Sequence, residues 1–247
     1  MPMTMEPIEV TGLVDPLPLV VKRRLRLRWI VGGVVLAVAG IGGAVMIPEI
    51  RSSILNANES AAIAALKNLS SAQSQLQASG MLDRNGDGNG EYGYFAELSG
   101  AVRLPGKDEA LHPPLLSQTY RKVVDGRLER SGYLFAMILP DAQLQAVWEG
   151  PNGGRAGQEG SVDPGHAETA WGCYAWPASQ GRSGKRTFFI NQSGDILATN
   201  GRDDFKYDGT RLPVAPDAAF ARSSGRHMAS AVAANTVGND GNIWVVG

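Results

Sequence analysis

The chain has a single cysteine, Cys173, in 247 residues, so no internal disulfide framework is available to it. Its three histidines, His112, His166 and His227, stand far apart, and none belongs to an HExxH or HxH spacing. No GxSxG elbow, no P-loop and no Rossmann glycine set following a strand is present. Charge of one sign is also missing: the formal net charge is −1, and one short basic run, Lys22 to Arg28, is the only cluster of cations. A nucleic-acid binder normally shows a broad basic face, so that class is excluded as a partner. Cys173 sits in a strand-like stretch between Gly172 and Tyr174, where a lone cysteine acts as a small hydrophobe. These absences point to a protein that is not an enzyme. Disorder is excluded by what is there: 43% of the residues are hydrophobic and only 19% charged.

The longest uncharged run is Trp29 to Ile47, WIVGGVVLAVAGIGGAVMI. As a helix rising about 1.5 Å per residue it is close to the thickness of a hydrocarbon core. Lys22, Arg23, Arg24, Arg26 and Arg28 precede it, whereas Arg51 alone follows closely, beside Glu49. The positive-inside rule then leaves residues 1–28 as a cytoplasmic tail and 29–47 as a single transmembrane helix in the inner (cytoplasmic) membrane, with lipid as its partner. The main domain falls on the periplasmic or extracellular side. A cleaved signal peptide ending at Ala37-Val38-Ala39 is the competing reading; the length of the run and of the leader favour the uncleaved anchor. Gly33, Ala37, Gly40 and Ala44 share one helical stripe, where a second helix can approach closely, so a homo- or hetero-oligomer through this helix is a further partner expectation.

Pro48 predicts a kink. Beyond it, Ala62, Ala65, Leu66, Leu69, Ala72 and Leu76 recur every three or four residues, with polar residues between, until Gly80. One long helix from about Trp29 to Ser79 is expected, apolar all round in its first half and amphipathic in its second. The amphipathic half needs a surface to pack on.

The sequence then winds through DRNGDGNGEYGYFAEL, residues 83–98. Asp83, Asn85, Asp87, Asn89 and Glu91 place oxygens at alternate positions, and Gly86, Gly88 and Gly90 permit tight winding. This is the pattern of the first half of a calcium loop, and these five residues are the candidate Ca²⁺ ligands. The bidentate Glu of a standard loop is missing, since its position holds Tyr94. The alternative is an Asx-rich turn whose side chains cap their own backbone.

Strand patterns follow: Ser131 to Leu139, Thr169 to Trp176, Lys185 to Ile190 and Asp195 to Thr199, the last two joined by the turn NQSG. A turn is expected at Asp125-Gly126, and residues 150–165 read as an exposed loop. Short connections imply an antiparallel sheet, so the expected class is α+β, with the amphipathic helix on one apolar sheet face. Trp148, Trp171, Tyr174 and Trp176 are expected in the sheet core rather than on a ligand platform. The expected organisation is an extracytoplasmic domain over 48–200 and an irregular extension over 201–247, in which Ile243 to Val246 can add an edge strand.

The order of these segments resembles that of type IV pilins and type II secretion pseudopilins. NESAAIAALKNLSSAQSQLQ, Asn58 to Gln77, is similar to the stretch where such helices enter the head. DGNGEYGYFAEL, SGYLFAMIL and YAWPASQGRSGKRTFFINQSGDILAT resemble the following loop and strands, so the likeness covers roughly residues 29–200. It implies a pilin-like fold and a structural role in a secretion or surface assembly. One departure limits it. Arg28-Trp29-Ile30-Val31 stands where prepilins carry their processing site, and the apolar run contains no acidic residue. The resemblance thus extends to a pilin-like head on an uncleaved anchor. A monomeric anchored binding module, stabilised by calcium, is the alternative function.

Overall fold

The computed structural model describes residues 51–155, 162–200 and 206–247. The predicted membrane segment, the basic run before it and the kink at Pro48 lie outside these residues. Among the described residues no helix is long and apolar enough to cross a membrane.

Helix α1 covers residues 51–79 and stops at Gly80, whose φ of 61° takes the chain out of the helical turn. Its periodic residues behave as their spacing predicts. Ala62, Leu66, Leu69, Ala72 and Leu76 are buried, whereas Lys67 and Gln75 are exposed. Polar side chains fix the helix along its length. Gln73 is fully buried; its amide nitrogen donates to the Gly93 carbonyl at 2.7 Å, and its amide oxygen accepts from the Gly93 N–H at 3.0 Å. Near the other end, Glu59 accepts from the backbone N–H groups of Lys185 and Arg186 and pairs with the Arg186 guanidinium at 2.7 Å.

Two short helices, α2 (Phe95–Leu98) and α3 (Pro164–Ala167), and a 3-10 turn (Gln118–Arg121) accompany the sheet. Its strands are β1 (Val123–Val124), β2 (Arg127–Arg130), β3 (Tyr133–Pro140), β4 (Ala146–Trp148), β5 (Gly172–Pro177), β6 (Phe188–Asn191), β7 (Leu197–Thr199), β8 (Thr236–Val237) and β9 (Ile243–Val246). They lie in the order β1-β2-β3-β5-β6-β7-β9-β8, and every pairing between them is antiparallel. β2 and β4 pair with successive parts of β3, while β5 runs along its other edge. The class is therefore α+β with an antiparallel sheet. The NQSG turn joins β6 to β7, with the Gly194 N–H donating to the Asn191 carbonyl at 3.0 Å.

The sheet differs from expectation in having two apolar faces. Along β3, Tyr133, Phe135, Met137 and Leu139 join the core under α1, while Leu134, Ala136 and Ile138 join a second core on the reverse face. β5 alternates the same way, with Cys173 and Ala175 toward α1 and Tyr174 and Trp176 on the reverse. An all-buried strand of this kind reads as an unbroken apolar run, YLFAMILP, because side chains alternate between two dry faces. Residues 206–247, read as an irregular extension, are poor in regular structure, yet they build the second layer. Val214, Ala218, Ala219, Phe220, Met228, Ala233 and Trp244 are buried in the reverse core. Tyr174 anchors them: its hydroxyl donates to the Pro216 carbonyl at 3.0 Å and accepts from the Ala219 N–H at 3.1 Å. β9 forms at the expected residues but is not the edge strand: it lies between β7 and β8, with β8 at the edge.

Candidate functional site

The acidic glycine turn leaves α1 and passes beneath the end of that helix. Gly90 lies so close to it that a Cβ there would overlap the Gln77 carbonyl oxygen. The side chains of the turn fold onto its own backbone. Asp83 accepts from the N–H of Gly86 at 2.7 Å and of Gly88 at 3.1 Å, one through each carboxylate oxygen. The Asn85 amide oxygen accepts from the Asp87 N–H at 3.3 Å, and Asp87 accepts from the Asn89 N–H at 2.8 Å. The Asn85 amide nitrogen donates to Asp87 at 3.1 Å and to Glu168 at 2.9 Å. These are Asx turns, in which short polar side chains satisfy backbone donors that a tight loop leaves unpaired.

Glu91 points elsewhere. It is fully buried; one carboxylate oxygen accepts from the Arg84 N–H at 2.7 Å and the other pairs with Arg155 at 2.9 Å. Of the five candidate calcium ligands, the fold therefore gathers Asp83, Asn85 and Asp87 around the turn's own amides, leaves Asn89 exposed, and turns Glu91 into the interior. Among the described residues no group of three or more His, Cys, Asp or Glu side chains is placed to hold a metal ion.

Beneath the turn is an ionic cluster that composition does not announce. The loop after β4, expected to be exposed, folds back so that Gly153, Gly154 and Arg155 are buried. Arg155 contacts Glu91 with one terminal nitrogen and donates with the other to the Tyr92 carbonyl at 3.0 Å. Its Nε lies 3.2 Å from Glu97, an ion pair off the hydrogen-bond axis. Glu97 closes the first turn of α2 by accepting from the Tyr94 N–H at 2.7 Å. Glu149 accepts from the N–H groups of Ala96 at 2.9 Å and Gly154 at 2.8 Å, and its second oxygen is buried with no hydrogen-bond partner among the described residues.

One guanidinium cannot neutralise three buried carboxylates. The proton balance settles at the carboxyl that does not touch the arginine. Burial pushes Glu149 up to about 8, against the backbone N–H groups of Gly154, Ala96 and Phe95 that pull it down. Burial also raises Glu97, with Arg155 and the Tyr94 amide opposing it. For Arg155 itself burial favours loss of the proton, but Glu97 and Glu91 outweigh it and hold the guanidinium charged. At neutral pH the cluster thus carries Glu149 as a neutral acid.

The remaining candidates are dispersed. Cys173 is fully buried, and burial pushes its thiol well up, so it is protonated at neutral pH. Trp171 lies in the core under α1, Trp176 and Tyr174 lie in the reverse core, and Trp148 packs half-buried against the latter, so the four aromatics are divided between two faces. His166 accompanies Asp163 at 3.5 Å, far in sequence from His112 and His227. No family model, no curated protein and no solved structure matches the chain.

Proposed function

We propose that the protein is a non-catalytic, pilin-like component of a bacterial secretion or surface assembly, carried on an uncleaved N-terminal membrane anchor. The observation that supports this reading is the burial of one stripe of α1, Ala62 to Leu76, against an antiparallel sheet, in a helix whose chain arrives directly from the apolar run Trp29–Ile47. A head built this way has a packed helix that follows the anchor sequence directly along the chain. Such an element transmits position between membrane and head, as an assembly subunit requires. The ionic cluster serves that role by locking the turn that joins α1 to the sheet.

The alternative, an anchored module stabilised by calcium, requires Asp83 and Asp87 to exchange the amides of Gly86, Gly88 and Asn89 for the ion, with Glu91 left in its ion pair. Native size in mild detergent separates the two. The proposal expects a large species that dissociates when Gly40 is replaced by Leu, together with an unprocessed N-terminus by mass spectrometry. A monomer whose size Gly40→Leu does not change would sink the assembly reading.

A further inference from the structure

A cleft of about 560 Å³ opens beside the ionic cluster, between the acidic turn and the loop after α2. Its volume is within the range of small-molecule sites. Arg84, Arg103, Lys107 and Arg155 line it, and Glu97 is the acid among them. Glu97 is already held by Arg155 at the buried floor, where neither side chain is more than 4% exposed. On the rim, Arg84 feels the Glu97 carboxylate at a distance, and no other acid lines the cleft among the described residues. Arg84 and Arg103 are exposed, and neither side chain makes a hydrogen bond or ion pair among the described residues. Among the described residues Lys107 donates to the Met81 carbonyl alone, a neutral acceptor. Asp108 and Glu109, on the same turn, do not line the cleft.

The walls between these charges are apolar, with Val102, Leu104 and Pro105 facing the space. Leu104 is buried, and the loop that carries it is closed on itself by a bridge between Arg103 and Ala110 and by the Leu104 N–H donating to the Glu109 carbonyl at 3.0 Å. The cleft is therefore a formed concavity, with a dry wall and an excess of positive charge at its mouth. Exposed guanidinium groups in a fork geometry suit a planar carboxylate or a phosphate. Apolar walls alone would accept a neutral ring, and cations alone would hold only a diffuse ion atmosphere.

We propose that this cleft binds a small organic anion: an apolar body seated against Val102 and Leu104, with a carboxylate or phosphate head held by Arg84, Arg103 and Lys107. The site is separate from the assembly role and does not depend on it.

The test is titration calorimetry of the full chain in neutral detergent, with phenyl phosphate and benzoate as the two head-group probes. Inorganic phosphate and benzyl alcohol serve as the half-ligands. The expected result is saturable binding of phenyl phosphate or benzoate with a Kd on the order of 1 mM or tighter, and at least about tenfold weaker binding of both half-ligands. The double variant Arg84→Ala/Arg103→Ala should lose at least about tenfold in affinity, and Arg103→Glu should abolish binding. Both arginines are exposed, so an unchanged circular dichroism spectrum is expected for the variants. Which probe binds more tightly assigns the head group. Absence of binding by both probes, binding no tighter than that of inorganic phosphate or benzyl alcohol, or an affinity unchanged in the folded double variant would each overturn the proposal.

Discussion

Replacing Glu149 by Gln isolates the neutral carboxyl beneath the turn. In the folded protein its pKa rises from the ordinary 4.5 to about 8, because it is buried and, to a smaller extent, because the Glu97 carboxylate lies near it. The native state therefore binds this proton more tightly than the unfolded chain does. Between the two values the unfolded chain has released the proton and the native state still holds it, so stability falls as pH rises. The contribution is fully present below about 4.5 and lost above about 8. At about 1.4 kcal/mol per unit, the full swing is about 5 kcal/mol. Glu149→Gln removes this titration and leaves an amide in the same place. Neutral Glu and neutral Gln both leave a donor at the unpartnered Oε2 position, so the two proteins start with similar stability in acid. They then diverge by about 3 kcal/mol between about pH 5 and 7, the variant becoming the more stable. Urea unfolding of the full chain, followed by fluorescence of the buried Trp171, Trp176 and Trp244, reads this difference directly. Glu97 also has a raised pKa, but it is present in both proteins and cancels. Parallel stability curves from about pH 5 to 8 would mean that Glu149 is ionised in the native protein, and the charge assignment of the cluster would fail.

The other predictions concern the helix and the turn. Leu69→Ala, a truncation in the core under α1, should cost about 2–5 kcal/mol in urea unfolding, and a loss below about 0.5 kcal/mol would contradict the packing of helix on sheet. Gly90→Ala should cost about 1–3 kcal/mol, because its Cβ meets the Gln77 carbonyl rather than a side chain that can move; an unchanged unfolding midpoint would show that the turn does not press on α1. Asp83→Ala should cost about 0.5–1.5 kcal/mol without any metal, since the exposed turn amides of Gly86 and Gly88 lose their carboxylate acceptor and take water in its place. A melting temperature that rises with millimolar calcium in the unmodified protein and not in Asp83→Ala would instead assign the carboxylate to an ion.

The amphipathic stripe of α1 was legible because each of its apolar residues packs on the same surface, so period and burial coincide from Ala62 to Leu76. Gly80 was legible as its end for a local reason, its positive φ. The central strands were legible from β-branched and aromatic runs, though β5 begins at Gly172 rather than Thr169, and β6 at Phe188 rather than Lys185. In the latter case Glu59 of α1 takes the N–H groups of Lys185 and Arg186 that a ladder would have used. A side chain more than a hundred residues away in sequence decides that boundary, and no local pattern reports it. The second core was hidden differently. Ala218, Ala219, Ala221 and Ala233 are small residues in a stretch rich in Ser, Gly and Asn, a composition that reads as loop. Against the flat reverse face of the sheet, small side chains let irregular backbone approach closely, and Tyr174 supplies the acceptor and donor that such backbone needs.

The acidic turn shows where a motif misleads. Alternating oxygens on a glycine-wound loop have two uses, and spacing does not distinguish them, because binding an ion and capping one's own amides ask for the same short side chains. What separates Glu91 from Asp83 and Asp87 is Arg155, which stands in a glycine-rich stretch that offers no reason to expect burial. The four ionisable groups of the cluster come from the turn, α2, the residue after β4 and the loop beyond it. Once Arg155 is placed, the rest follows from electrostatics. A guanidinium that spans Glu91 and Glu97 has no charge left for Glu149, and a carboxyl in that position is less costly with its proton than without. The same placement explains why the rim of the neighbouring cleft is cationic: Glu91 and Glu97 face inward and are paired with Arg155, so that among the described residues Arg84 and Arg103 have no salt bridge of their own.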